Sequence, residues 1–556
     1  MKIGLFSAYD NQGAGNAALR LHNGLNQIGQ DSTMFVKYKS TNGTSVINLT
    51  SPDTHNIVFD SLVTKYFFNN IYEGNTICSV LYPSVGFDFL SSIKDLDVIN
   101  LHWVTQFLSL EAVVHIRQMG KPVIWTLHDQ NLMTGGCHYD HGCEKYKRDC
   151  SGCPQLKENP FNITQTILAA KKRYLPKDIV IVTPSRWLAD CARESTVLKE
   201  HRIEVIPNSL DTQSFLAVDK KTAKRFFDIP KTAKVILFGA VSLKERRKGF
   251  SELLTSMELL CEDQQIASLI NNQQIFILLF GESSPLIENL GVPYRALGYL
   301  KDNHALNMAY SAADVLALPS LEDNLPNVML ESMACGTPVV AFDIGGMSDV
   351  IQNGENGYLA SSGNCQQFAQ RLKEVLLGSS MQSFCRQFSE EQFALEVQAK
   401  RYSGLFEDVV KTSRPTISMH VPVMFPEISE AIMPWIIDIS KDISFTCDEQ
   451  IRIAEMINLR NKRLLIWGTG NTAQELFEQL KLQGQDNLVV GFIDNNRRKW
   501  DYLMYNRPIY SPMMLNDPGA DYAVIIASMY YAEIGKQLEA MGFTAIAAKL
   551  YCSIHK

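Results

Sequence analysis

Asp323 and Glu331 carry the strongest hint of chemistry in this chain. They frame a turn inside SAADVLALPSLEDNLPNVMLESMACGTPVVAFDIGGMSDV, residues 311–350. Ala313 to Pro319 is a short apolar run of the kind that forms a buried parallel strand. A polar turn, Ser320 to Pro326, follows it. Pro326 suits a first helical turn, where a missing N–H costs nothing. The periodicity predicts a helix from Asn327 to Ala334, ended by Cys335-Gly336, and a second buried strand from Val339 to Phe342 that opens on Gly345-Gly346. Such a βαβ unit puts its loop outside the carboxyl ends of the strands, where ligands bind. Asp323 then lies beside the free N–H groups of a helix start, which attract anions. Glu331 lies two turns into the helix, beyond capping range. The plain alternative is an exposed helical glutamate. The chemical reading has Glu331 hold hydroxyls of a sugar or ribose, while the stretch Asn324, Leu325, Pro326 and Asn327 holds hydroxyls or phosphate.

Further candidates stand at other predicted strand ends. Lys2 to Tyr9 reads as the first strand, Asp10 to Asn16 as the loop after it, and Ala17 to Ile28 as a helix. Gly13, Ala14 and Gly15 in that loop would let backbone approach a diphosphate with no Cβ in the way, although Gly-x-Gly alone is a weak signal. Strands Val98–Leu101 and Val123–Leu127 end in His102 and His128, and carboxyl ends of parallel strands point into a ligand crevice. Asp95 and Asp97 imitate a metal-binding pair but precede a strand, as its solvated entrance would. A strand from Lys234 to Phe238 leads to the cationic loop Arg246-Arg247-Lys248-Gly249. Aromatic residues Tyr66, Phe67, Phe68 and Tyr72 either line a groove or pack.

Four cysteines, Cys137, Cys143, Cys150 and Cys153, crowd one loop together with His138 and His141. Cys-x-x-Cys is a common metal-ligand spacing, and a structural zinc is one reading; reduced free thiols or disulfides are the others. Lys145, Lys147, Arg148 and Lys171-Lys172-Arg173 make this half locally basic. That is either a solvated face or a surface for anionic lipid.

These elements need a large α/β scaffold. At 556 residues the chain exceeds one core. A hydrophobic fraction of 46% with 20% charged residues describes an ordinary globular protein. A net charge of −7 argues against a dedicated nucleic-acid binder. MKIGLFSAYD reads as strand and loop rather than a signal-peptide core. No run approaches the roughly 20 apolar residues of a membrane-spanning helix. The expectation is a cytoplasmic protein, touching the inner face of a membrane only peripherally.

The stretch from Asp323 to Glu331, followed by Ala334-Cys335-Gly336-Thr337-Pro338-Val339-Val340, resembles the acidic-x7-Glu signature of retaining GT-B glycosyltransferases of family four. The usual first Glu is Asp323 here, and Asn324-Leu325-Pro326-Asn327 replaces a glycine-rich middle. The resemblance extends over most of residues 1–410. It implies a fold of two Rossmann-like domains, 1–210 for the acceptor and 211–392 for the donor, with a helix near 393–410 crossing back onto the first. It implies that Gly13, Ala14 and Gly15 face the donor diphosphate, that His128 lies beside the transferred sugar, and that Lys248 with a neighbouring arginine, Arg246 or Arg247, neutralises the phosphates. Gly298 and Tyr299 fall where relatives contact the base. The element Pro207-Asn208-Ser209-Leu210-Asp211 resembles the family's interdomain Pro-Asn-Gly-x-Asp. The partners implied are a nucleotide-diphosphate sugar and a glycan or lipid-linked acceptor in polysaccharide assembly; no cofactor is implied for catalysis.

Residues 411–454 read as a proline-bearing linker. From 455 to 556 a third pattern begins, in which Gly468-Thr469-Gly470-x-x-Ala473 follows one strand and Asp494 ends the next. This is a smaller Rossmann-like module and resembles the nucleotide- or sugar-binding modules attached to sugar acyltransferases and methyltransferases. Two rival readings of the whole are a sugar-nucleotide hydrolase or epimerase and a non-catalytic, nucleotide-sensing assembly protein.

Overall fold

The computed structural model describes residues 1–49, 70–81, 87–157, 159, 162–240, 242–282, 284–300, 302–413 and, with interruptions, 463–541. Tyr66 to Phe68 and all of the expected linker beyond Ser413 lie outside these residues.

The first sheet is parallel throughout, in the order β3-β2-β1-β4-β5-β6-β7. Its strands are β1 (Lys2–Tyr9), β2 (Asp31–Tyr38), β3 (Val46–Asn48), β4 (Val98–Leu101), β5 (Val123–Thr126), β6 (Val180–Thr183) and β7 (Ile203–Val205). The second sheet, also parallel, runs β10-β9-β8-β11-β12-β13. It comprises β8 (Lys234–Ala240), β9 (Ile275–Gly281), β10 (Tyr294–Ala296), β11 (Val315–Leu318), β12 (Val339–Phe342) and β13 (Gly357–Ala360). β4, β5, β11 and β12 are buried at every position. That is why they read as near-continuous apolar runs, with Asn100 and Thr126 the polar exceptions: helices cover both faces of a parallel sheet.

The helices that do so are α1 (Gln12–Gln27), α2 (Leu110–Gln118), α3 (Ile163–Tyr174), α4 (Arg186–Glu194), α5 (Lys220–Phe226), α6 (Phe250–Cys261), α7 (Gln264–Asn271), α8 (Asn303–Ala312), α9 (Asn327–Ala334), α10 (Cys365–Leu377), α11 (Gln382–Phe393) and α12 (Leu395–Thr412). The last crosses back as expected. Ala399, Tyr402, Leu405, Phe406 and Val409 of α12 share a core with Ile3, Leu5, Leu21, Leu25, Ile124 and Val182. The crossing is close: a Cβ on Gly24 would lie 2.7 Å from the Leu395 carbonyl oxygen. Tyr402 and Thr126 share a hydrogen bond of 2.9 Å beneath it.

A third sheet, β16-β17-β15-β14-β18, holds β14 (Arg463–Trp467), β15 (Val489–Ile493), β16 (Leu503–Met504), β17 (Arg507–Tyr510) and β18 (Tyr522–Ile526). All pairs are parallel except β16 with β17. Leu465, Trp467, Ile493, Val524 and Ile526 pack with Ile534 and Leu538 of α13 (Tyr531–Ala540). Asp494 follows β15 directly; its carboxylate accepts from Thr469 and from Lys499, the latter at 2.9 Å. The chain divides into two compact units, one of residues 1–52, 70–158 and 167–422, the other of 53–69, 159–166 and 423–556.

Candidate active site

Asp323 lies in the turn between β11 and α9, at 7% exposure. Its Oδ2 accepts from Lys248 Nζ at 2.7 Å and lies 3.4 Å from Arg247 Nη1. Burial works to raise the Asp323 carboxyl, but the two cations outweigh it and hold the group below the usual carboxylate range. Of the two arginines open to the cationic loop, the structure selects Arg247, whose guanidinium stacks over Tyr139 at 4.9 Å. Arg246 uses its backbone N–H on the Gly74 carbonyl instead. The turn is built by two left-handed glycines. Gly249 (φ 69°) backs onto Pro319 and Gly345 (φ 53°) onto Asp323, and at each a Cβ would come within 1.7 Å of a carbonyl oxygen. Only glycine permits both the angle and the approach.

The first loop departs from expectation. α1 begins at Gln12, so Gly13, Ala14 and Gly15 form its first turn rather than a loop. Just before it, the buried Asp10 carboxylate takes backbone and hydroxyl donors from Ser40 and Thr41 and so ties the end of β1 to the loop after β2. At Gly15 a Cβ would stand 2.7 Å from the Tyr9 carbonyl oxygen, so this glycine serves close helix–strand packing; Gly13 faces open space. Neither α1 nor α9 has a side-chain cap at its N-terminus, and Pro326 stands at the cap position rather than inside the helix. Asn327 Nδ2 donates to the Gly13 carbonyl oxygen at 3.0 Å, which joins the two helix starts. Free N–H groups at a helix start carry partial positive charge, the property that lets such ends receive an anion.

Glu331 is not an exposed glutamate. It is 7% exposed, and both its oxygens are taken. Arg20 Nη2 of α1 donates to Oε1 at 2.6 Å, and the Tyr310 hydroxyl of α8 donates to Oε2 at 2.9 Å. Asn324 joins the domains as well: Ser185 Oγ donates to its Oδ1 at 2.6 Å, and its Nδ2 donates to the His128 carbonyl oxygen at 3.1 Å. Leu325 packs into the second core. Gly298 follows β10 beside the carboxyl end of β9, its carbonyl accepting from Gly281 N–H at 2.7 Å, and Tyr299 is 61% exposed.

His102 and His128 stack with ring centroids 5.2 Å apart. The tautomers follow from their partners. Asn100 Nδ2 donates to the Ile124 carbonyl, so its Oδ1 must accept from His102 Nε2 at 3.0 Å. In the neutral ring His102 Nδ1 then accepts, and His128 Nε2–H is the donor at 3.0 Å. His128 thus keeps its Nδ1 lone pair. Burial pushes the His128 pKa down to about 4 and that of His102 well below its ordinary value.

These rings set a pH dependence. Burial also lowers His22 to about 4. The unfolded chain binds these protons near pH 6.5, so stability is whole above that pH and is lost as pH falls toward 4. His22 and His128 forfeit roughly 3 kcal/mol each at 1.36 kcal/mol per unit. Glu322 has the opposite sign: burial, then Asp140, raises it to about 7, so its contribution is present below its ordinary value and lost as pH rises through 7. With one glutamate set against three histidines, the urea midpoint should be lower at pH 5 than at pH 7.5; an unchanged midpoint would mean that the rings are solvated.

Among the described residues no group of three or more His, Cys, Asp or Glu side chains is placed to hold a metal ion, and Cys137, Cys143, Cys150 and Cys153 are free thiols. The backbones of Cys137 and Cys78 meet in an isolated antiparallel bridge, and Cys150 and Cys153 lie close enough to interact with both thiols electrostatically. The loop is threaded by Lys171, which is buried and donates to the carbonyls of Asn131 and Thr134. Of the other basic residues here, Lys145 donates to Ser151 and Gly152 and Lys147 pairs with Glu144 and Glu194, while Arg148, Lys172 and Arg173 are exposed. What the loop positions is Tyr139, whose hydroxyl lies 3.5 Å from Asp323 Oδ1. Tyr139, Arg20 and Tyr310 are the site residues that sequence reasoning missed. Only Tyr139 had a signal, the Thr134-Gly135-Gly136-Cys137-His138-Tyr139 loop. Among the described residues no helix is long and apolar enough to cross a membrane.

Residues 219–392 match the family described as Glycosyl transferases group 1, and residues 460–546 the family described as C2185-like, N-terminal. The protein named as the colanic acid biosynthesis glycosyl transferase WcaC of Escherichia coli (strain K12) is 24% identical over 71% of this chain and 97% of its own length. The N-acetyl-alpha-D-glucosaminyl L-malate synthase of Bacillus anthracis is 27% identical over 38% of this chain, and the D-inositol 3-phosphate glycosyltransferase of Corynebacterium urealyticum 29% identical over 42%. The chain spans only 55% and 57% of the length of those two relatives. Among solved structures, the sucrose-phosphate synthase of Thermosynechococcus elongatus aligns over 74% of this chain and 100% of its own, with a TM-score of 0.51 at 20% identity, a likeness of fold. Residues 1–413 thus carry the GT-B fold.

Proposed function

Taking the chain as a group 1 glycosyltransferase on a GT-B fold, we propose that it moves a sugar, with retained anomeric configuration, from a nucleotide-diphosphate sugar to a glycan or lipid-linked acceptor in polysaccharide assembly. One observation carries the reading: two uncapped helix starts meet through Asn327 and Gly13, beside the Lys248–Asp323–Arg247 cluster. That site suits a diphosphate. As the bond from the anomeric carbon to the diphosphate oxygen breaks, negative charge grows on the leaving group. Lys248, Arg247 and the backbone N–H groups stabilise it without a divalent metal. The acceptor hydroxyl attacks from the leaving-group face, a new carbon–oxygen bond forms, and its proton passes to the departing diphosphate oxygen. The neutral His128 ring is the polar group expected beside the sugar. The relative named for colanic acid biosynthesis supports a polysaccharide acceptor.

The test is a panel of nucleotide sugars incubated with extracted lipid-linked glycans and read by mass spectrometry. A mass gain of one sugar on an acceptor, with release of nucleoside diphosphate, is the expected result. Donor loss with no acceptor product would favour a hydrolase or epimerase, and binding with no turnover a nucleotide-sensing assembly protein. The third sheet has its own core, so a chain ending at Ser413 should still transfer sugar. If it folds and binds donor but transfers nothing, residues 463–541 take part in the chemistry.

A further inference from the structure

Arg20 belongs to the first domain by its backbone and to the second by its contacts. It leaves α1 with a side chain only 12% exposed, pairs with Glu331 of α9, and lies over the Phe215 ring at 5.6 Å. Its Nη2 is satisfied at 2.6 Å, but its Nη1 is buried with no hydrogen-bond partner. A buried guanidinium nitrogen without an acceptor is costly, and native sites supply one. Among the described residues no oxygen does so here: Glu331 Oε1 takes Nη2 and its Oε2 takes Tyr310. α1 and α9 touch at two levels, at their starts through Gly13 and Asn327 and further along through Arg20 and Glu331. The ion pair is neutral overall, so an approaching oxygen meets no net repulsion.

Resting on the donor reading above, we propose that Arg20 is a donor-binding residue: Glu331 anchors one guanidinium nitrogen, and the other takes an oxygen of the nucleotide sugar. This couples the first domain to a donor seated on the second. The acceptor atom is a hydroxyl or a phosphate oxygen, and both suit a planar N–H fork.

The experiment titrates uridine, guanosine and adenosine diphosphates, and the matching nucleosides, into wild type, Arg20→Ala, Arg20→Lys and Lys248→Ala by calorimetry. The KM for donor and for acceptor sugar is measured in parallel. Arg20→Ala should weaken the preferred diphosphate by about ten- to hundredfold, the loss of one charge-assisted hydrogen bond. Arg20→Lys keeps the counter-ion of Glu331, so its urea midpoint should stay near wild type, yet it lacks the second nitrogen and should bind at least about tenfold more weakly. The acceptor KM should not move. A loss seen with the nucleoside alone assigns the contact to the ribose; a loss confined to the diphosphate assigns it to phosphate. Wild-type nucleotide affinity in Arg20→Lys would overturn the proposal and leave Arg20 as a strut between domains. If Lys248→Ala weakens binding and the Arg20 variants do not, only this inference fails. If wild type binds none of the nucleotides, the donor reading itself fails.

Discussion

Lys248→Ala is expected to cost about a hundred- to thousandfold in kcat, the usual effect of removing one preorganised group from a charge-developing site, and to raise the donor KM as well. Lys248 makes the short contact to Asp323, at 2.7 Å, whereas Arg247 lies 3.4 Å away and is shared with Glu245. Without the ammonium, a carboxylate that is 7% exposed keeps only the longer cationic contact, beside the Asn324 N–H and the Tyr139 hydroxyl. Breaking a buried pair from one side costs about 3–5 kcal/mol, and Lys248, 25% exposed, belongs at or below the lower end of that range. Asp323→Asn separates stability from chemistry. It removes the negative partner and leaves both cations free for a diphosphate, so donor affinity should hold while turnover falls. Steady-state kinetics with a urea midpoint on each variant reads both effects. A lysine that only solvates a surface would shift stability by no more than about 0.5 kcal/mol and leave kinetics untouched. Wild-type kinetics in Lys248→Ala would retire the site.

Glu331→Gln is expected to damage folding and donor use together. A glutamine presents one acceptor where the glutamate presents two. Because Arg20 and Tyr310 both donate here, one of them must face an amide N–H instead. The loss leaves a buried guanidinium without its counter-ion, at about 3–5 kcal/mol by the same rule. That exceeds the roughly 1.5–3 kcal/mol assigned to a single charged hydrogen bond. Arg20→Ala in the Glu331→Gln background should cost less than the sum of the two single changes, because each already breaks the shared pair. Additive urea midpoints in the double variant would show that Arg20 and Glu331 act separately.

Much of this was legible before any tertiary contact was known. The helix Asn327–Ala334 and the strands Val98–Leu101 and Val339–Phe342 lie where the pattern put them, and α12 crosses onto the first domain as expected. The misses have specific causes. The start of α1 was placed five residues late because a Gly-x-Gly stretch reads as a loop. Here the glycines lie in the helix itself, Gly15 against the Tyr9 carbonyl. Lys171 read as part of a basic face, yet its ammonium is buried on two loop carbonyls. The spacing within the cysteine loop gave no sign that its Cys137 backbone would meet Cys78, 59 residues earlier in the chain.

By itself the sequence determined which loops follow parallel strands. Strands buried on both faces are largely apolar, and the loops after them, which hold His128, Lys248 and Asp323, lie at the carboxyl edge of their sheets, where ligands bind in such folds. Such periodicity is set by near neighbours, so it survives in one dimension. Only the tertiary structure decided the partners within the crevice: Arg247 rather than Arg246 beside Asp323, Tyr139 against both, and Arg20 on Glu331 across 311 residues. Those pairings depend on how two separate sheets bring their helices together. An arginine on an amphipathic helix looks the same in sequence whether it meets water or a buried carboxylate.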